Sequence, residues 1–338
     1  MTQTHLGYVN VVEPREHGGV LNFDVAERFS EDFAKPTVFR GLAPISERLS
    51  RRAFFEEIDP EMMLQWRVKT GDEAVSMRSE DGRSDYNYVT GRVGTGREFL
   101  DDLFEHERDV YSHLGTISSG YADPYPWGKE AFALVKREVF GAGWFRIEDW
   151  EITGHMFMGR SNQDYGEPAR GAVGSDWHVF PTLNVFVMIA GTKKWMTRPP
   201  APGDQYRHYD LMFETSSGRE APGGDFESDV FHLEPGDVLL NPPFEWHKVL
   251  NARGYSLGAA FRVIDRAYLA RLAERRNLDI RKIDRDGDAR PGTEELAHFL
   301  TSISYASRHP QRAQMILNDL EYAYLRKGRT DAVHIGHQ

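Results

Sequence analysis

Residues 174–195 read GSDWHVFPTLNVFVMIAGTKKW, and residues 234–247 read EPGDVLLNPPFEWH. The first stretch sets His178 six residues before Asn184. An apolar run and a turn at Gly191-Thr192 then lead into Lys193, Lys194 and Trp195. Residues 177–189 alternate well enough for a single β-strand, in which positions 176, 178 and 180 share one face. The second stretch opens on the turn Glu234-Pro235-Gly236-Asp237 and continues as a short apolar strand. It bends at Pro242-Pro243 and starts a further strand at Trp246-His247. Two histidines delivered by two strands predict one metal ion shared inside a β-barrel.

The surroundings fit that expectation. Between residues 144 and 263, strand-like runs fall at 150–158, 177–189, 194–198, 229–233, 238–241, 246–250 and 255–263, separated by Gly, Pro and Asp clusters. Many short strands with regular turn signals predict a sandwich or barrel. The loop 198–229 is long enough to serve as a lid or binding loop. Upstream, an irregular arm precedes a short strand at 36–41. Helices are predicted at 45–57, 96–114 and 129–139, and residues 77–93 are polar and turn-rich. The glycines of 91–96, GRVGTG, lack the spacing of a dinucleotide fingerprint and read as a loop leading into a helix. Downstream, helices are expected at 266–276, 293–307 and 311–326. The acidic run 284–288 with Glu295 mimics a calcium loop, but Ala289 stands where the sharp turn needs glycine and Pro291 interrupts it. The predicted organisation is an N-terminal segment of helices and strands (1–143) packing on a barrel core (144–264), followed by a C-terminal helical segment (265–338).

Composition narrows the chemistry. The 338 residues are 40% hydrophobic and 28% charged, as in an ordinary globular protein. A net charge of −11 argues against nucleic acid, whose binding needs a basic face. No apolar run reaches the length of a membrane span, and the N-terminus lacks the pattern of a signal peptide, so a cytoplasmic protein is expected. With no cysteine, a metal must be held by nitrogen and oxygen, a donor set that suits iron, manganese, zinc or copper.

Ser175, His178, Asn184, Gly191, Lys193 and Trp195 fall at the offsets of one family motif: Thr/Ser-x-x-His-x-Asp, an Asn six beyond the histidine, and Gly-x-Lys-Arg/Lys-Trp. Pro235-Gly236-Asp237, Pro242 and Trp246-His247 fall on a second, Pro-Gly-Asp-x-Leu-x-x-Pro-x-x-Trp-Trp-His. The chain thereby resembles the JmjC and cupin-like group of iron(II), 2-oxoglutarate-dependent oxygenases, which includes the asparaginyl hydroxylase acting on hypoxia-inducible factor. The run KPTVFRGLA at 35–43 is similar to that group's leading strand. The resemblance implies a double-stranded β-helix (cupin or jelly-roll barrel) with flanking helices. It also implies iron(II) on His178 and His247, and 2-oxoglutarate on Lys193 with help from Asn184 and Ser175. The implied reaction is oxidation of a substrate C–H bond coupled to conversion of 2-oxoglutarate to succinate.

One departure stands out. Two residues after the first histidine the family carries its acidic ligand, and here the residue is Phe180, whose ring binds no iron. Asp176 is the tentative replacement, with Glu245, His155 and His208 as other sources. Two further readings follow from Phe180: a non-catalytic binding protein, or a cupin metalloenzyme that uses no 2-oxoglutarate. Tyr121, Tyr125, Trp127, Tyr206 and Tyr209 are candidates to line a pocket for a small molecule, amino acid or peptide. The acidic balance suits a neutral or basic one. The helices at 293–326 offer a homodimer surface or a cap on one end of the barrel.

Overall fold

The computed structural model describes residues 7–31, 35–68, 91–116, 125–146, 150–162, 174–178, 184–198, 228–241 and 245–265, with the backbone alone for 174–178. Among them the protein is mainly β, with thirteen strands in two sheets and a few helices. The first half contains β1 (Asn10–Val12), α1 (Pro14–His17), α2 (Phe23–Phe29), β2 (Thr37–Phe39), α3 (Arg52–Phe55), β3 (Met63–Val68), β4 (Gly91–Thr95), α4 (Gly96–Leu100), β5 (Val110–Thr116) and α5 (Pro126–Gly141). The second is all strand: β6 (Trp150–Ser161), β7 (Gly174–His178), β8 (Asn184–Ala190), β9 (Lys193–Arg198), β10 (Asp229–Leu233), β11 (Val238–Asn241), β12 (Trp246–Asn251) and β13 (Gly254–Asp265). No helix among the described residues is long and apolar enough to cross a membrane.

The larger sheet runs β1-β2-β11-β8-β13-β6-β5-β3-β4, and the smaller runs β10-β9-β12-β7. From β6 onward, strands 6, 8, 11 and 13 therefore lie in one sheet and strands 7, 9, 10 and 12 in the other. Strands from the first half extend the larger sheet at both margins. β8 shows why the larger sheet has two buried faces. Val185, Val187 and Ile189 join an apolar cluster with the helices, while Phe186 and Met188 point to the opposite side. A strand buried on both faces reads as a continuous apolar run. On the helix side, α5 contributes Trp127, Ala131, Val135 and Val139 at helical spacing, with Phe132 beside them, to the cluster that holds Phe99 and Phe261. On the other side, Phe186, Met188 and Leu239 meet Trp195, Phe231, Leu233 and Val249 of the smaller sheet. The smaller sheet shows the simpler alternation: β9 buries Lys193, Trp195 and Thr197 and leaves the residues between them half-buried.

Two glycines of the motifs sit where another residue would be strained. Gly191 turns the chain from β8 to β9 at φ +72°, and a Cβ there would lie 2.2 Å from the Tyr255 carbonyl oxygen. Gly236 has φ +94° in the turn before β11. Next to it, buried Asp237 accepts from the backbone N–H of Gly41 (2.9 Å) and Glu234 (3.0 Å) and pairs with the Arg40 guanidinium. The Pro-Gly-Asp turn and the VFRG run are thus two halves of one contact between β2 and β11.

Several expected elements differ. The stretch 177–189 is two strands in different sheets: β7 pairs with β12, and β8 with β11 and β13. Pro181, which has no N–H to give a ladder, lies in sequence between them. The helix expected over 96–114 stops after a π turn, Asp101–Glu105, and β5 takes the rest. Pairing with β6 and β3 overrides the apolar spacing, and Glu107 turns the chain at φ +49°. The helix expected over 45–57 is a 3-10 turn, Glu47–Ser50, and the four residues of α3, parted at Arg51, which is extended. Residues 91–95, expected as loop, form a strand against β3. The expected helices beyond 265, the calcium-like run, Phe180, His208, Tyr121, Tyr206 and Tyr209 lie outside the described residues.

Candidate functional site

The space between the two sheets changes character along its length. Toward one end it is lined by polar residues whose backbones are fixed by the ladders. His247, on β12, stands directly across from His178 on β7 and from Thr197 on β9. Directly opposed residues of an antiparallel pair hold their Cβ atoms roughly 4.5–5.5 Å apart, so the register brings the two predicted metal ligands to one place. Ser175 pairs with Val249, whereas the ladder shifts register between that pair and His247–His178. The extra residue falls on the stretch holding Asp176 and Trp177, so the two-residue alternation expected to put Asp176 beside His178 is interrupted there.

The His247 ring is held on three sides. It is buried, and Trp195 stacks on it with centroids 5.4 Å apart and planes 19° from parallel. Its Nδ1 lies 2.8 Å from the Glu245 carbonyl oxygen, which can only accept, so Nδ1 carries the proton. That tautomer puts the lone pair on Nε2, the form a metal ligand needs. The Asn241 side-chain nitrogen is 3.4 Å from the same Nδ1 while Asn241 Oδ1 is buried without a partner. Turning this amide over would bring its oxygen to the ring N–H and agree with the same tautomer.

Asn184 begins β8 opposite Asn241, and its Oδ1 is also buried and unpartnered. Its parity along β8 is that of Phe186 and Met188, which face the smaller sheet. Lys193 lies on the buried face of β9, four residues from Thr197, or about 13 Å at ~3.3 Å per residue. It is 3% exposed, its amine donates to Asn251 Oδ1, and among the described residues it has no carboxylate partner. Burial pushes its pKa down to about 7. The amine is thus buried on the same face of β9 as Thr197, whose ladder partner is His247.

Glu245 is fully buried, and its Oε1 accepts from the Tyr8 hydroxyl at 2.6 Å. Tyr8 and Val9 are tied down in turn by their backbone N–H groups, which donate to Asp229 Oδ2 at 2.6 and 2.9 Å. His155 is buried on β6 with its ring edge-on to Phe157, which packs into the intersheet cluster. Among the described residues no three His, Asp or Glu side chains assemble a metal site. The side chains of Asp176 and His178 are not among them. Trp127 is no pocket residue: it is fully buried on the helix side of the larger sheet, against Phe55 and Phe99, and Tyr125 packs on that same core. A cleft of about 720 Å³ lies between the N-terminal arm and β10, with Arg40, His232 and Glu234 on its walls.

Sequence reading missed Thr197, Asn241, Asn251 and Tyr8. Asn241 and Thr197 carry no motif signal, and Asn251 and Tyr8 matter only through partners far away in the chain. No family model matches the chain, and no curated protein is significantly similar to it.

Proposed function

We propose that the chain is a non-haem iron(II), 2-oxoglutarate-dependent oxygenase of the JmjC and cupin-like group. In this reading a double-stranded β-helix core (144–264) carries an N-terminal segment (1–143) and a C-terminal helical segment (265–338). The division of the eight strands from β6 to β13 into two facing sets of four supports that architecture. The observation that carries the function is the ladder pairing of His178 with His247, on a sheet whose buried face also holds Lys193. Unpartnered Asn184 Oδ1 and Thr197 Oγ1 near that pair fit a bound polar group.

In this reading His178 and His247 would hold the iron, with the carboxylate coming from a position other than that of Phe180. The Glu245 carbonyl keeps His247 in the metal-binding tautomer, and Trp195 holds the ring in plane. Lys193 pairs with the distal carboxylate of 2-oxoglutarate. Asn251 sets the direction of that amine, and Asn184 and Ser175 complete the hydrogen bonding. Iron(II) supplies dioxygen activation, in which 2-oxoglutarate becomes succinate and carbon dioxide and one oxygen atom goes to a C–H bond of a small molecule, amino acid or peptide. The apolar walls, Phe186, Leu239 and Phe231, keep bulk water out.

Phe180 favours a second reading, a barrel that binds a partner without oxidising it. One experiment separates them: succinate formation by the purified chain with iron(II), ascorbate and 2-oxoglutarate. Turnover that disappears in His178→Ala, and persists in the control His232→Ala, is the expected result. A folded protein with no affinity for iron(II) or 2-oxoglutarate would leave the binding reading.

A further inference from the structure

We propose that Glu245 supplies the carboxylate ligand of the metal site, from the strand opposite the one that carries it in the resembled family. The inference rests on the oxygenase reading and names a residue that this reading leaves open. His178 and His247 are direct partners in the antiparallel ladder of β7 and β12. In such a ladder, two residues forward on one strand is two residues back on the other. Carried on from that pair, the register would bring the residue two before His247 to the level two after His178, the position at which the family keeps its acid. Glu245 is that residue, at the threshold of β12. A residue on the facing strand starts roughly 5 Å away, and glutamate has one methylene more reach than aspartate.

The surroundings of Glu245 agree. It is 0% exposed, and a carboxylate at that depth is held by hydrogen bonds, paired charge or a metal. Its backbone carbonyl already orients His247, so ligand and orienting group would come from one residue. The Tyr8 hydroxyl donates to Oε1, the kind of outer hydrogen bond that ligating carboxylates carry. A further observation marks the neighbourhood: Asn184 Oδ1, across the ladder from Asn241 and its contact with the His247 ring, is buried without a partner. Asp176 is the weaker choice, because the register shift interrupts the alternation that would align it with His178.

The test is cobalt(II) binding by the full chain, read by calorimetry and by the d–d absorption of the bound ion. Wild type is expected to bind, and His178→Ala and His247→Ala to lose binding. Glu245→Gln should weaken it on the order of 100-fold and shift the band, and Asp176→Asn should leave both unchanged. Tyr8→Phe, which removes one hydroxyl at a half-buried site, should weaken binding about tenfold and also shift the band. If the histidine variants lose cobalt while Glu245→Gln keeps wild-type affinity and spectrum, the Glu245 assignment falls and the oxygenase reading stands. If wild type binds no cobalt, both fall. Should Glu245→Gln fail to fold, Tyr8→Phe decides, and an unchanged affinity and band there overturns the assignment.

Discussion

The two faces of the larger sheet are built from the same strands and do opposite things. On the helix side, Val185, Val187, Leu240 and Phe261 meet Trp66, Phe99 and Phe132 in a continuous apolar core. On the side facing the smaller sheet, β8 and β11 present Phe186, Met188 and Leu239 but end in Asn184 and Asn241. There the opposite wall adds Lys193, Thr197 and His247. Among the described residues Trp127 Nε1 is unpartnered on the helix side, whereas the cleft gathers Asn184 Oδ1, Thr197 Oγ1 and Trp195 Nε1. An unmet buried polar group costs about 1–3 kcal/mol, so several gathered in one cleft make a sizeable local deficit. Close apolar packing is concentrated on one face and buried polar groups on the other.

The largest expected effect tests the apolar side. Phe261 is fully buried and meets Phe132 and Phe140 with ring centroids 5.7 and 4.6 Å away. Phe261→Ala should destabilise the chain by about 3–5 kcal/mol, read from urea unfolding, and leave 2-oxoglutarate affinity intact under conditions where the protein is folded. A large loss of affinity in folded protein would mean that the two faces are not separable.

Lys193 sharpens the comparison from the other direction. Its folded pKa is pushed down to about 7, against about 10.4 when unfolded. Between those values the unfolded chain holds the extra proton, so this group makes stability rise as pH climbs from 7 toward 10. Lys193→Met removes the buried charge and should stabilise the chain by about 1–4 kcal/mol at pH 7, while abolishing 2-oxoglutarate binding. Urea midpoints at pH 7 and pH 9 should show the gain shrinking at the higher pH. In wild type, affinity for 2-oxoglutarate should fall above pH 7, because only the ammonium form pairs with a carboxylate. A gain in stability that is the same at both pH values would remove Lys193's depressed pKa as its cause.

How much of this was legible depends on how local the cause is. The strands expected at 229–233 and 238–241 are β10 and β11 residue for residue, because alternation and the Pro-Gly-Asp turn are both written within a few positions. The helix expected over 96–114 failed halfway, since β5 is decided by partners in β3 and β6 and not by its own spacing. The stretch 177–189 looked like one strand because both its halves are β-rich, and nothing local announces that they belong to different sheets. In the candidate site, Lys193 and His247 stood out through motif offsets. Asn251 is 58 residues from Lys193, and Tyr8 is 237 from Glu245, so only the assembled fold reveals either contact.

The smallest effect is the most discriminating, because it concerns a single oxygen. Thr197 lies directly opposite His247, and its hydroxyl is buried without a partner. Thr197→Val keeps the shape and deletes the unmet group, so stability should stay level or rise by up to about 1 kcal/mol. If the cleft is a ligand site, the same change should weaken metal or 2-oxoglutarate binding, because the lost hydroxyl is one of the groups a bound ligand or its water would satisfy. Trp127→Phe deletes the unpartnered atom on the helix side and should leave binding untouched. A stability gain without any binding loss in Thr197→Val would make the cleft's deficit like that of Trp127, a packing imperfection with no ligand behind it.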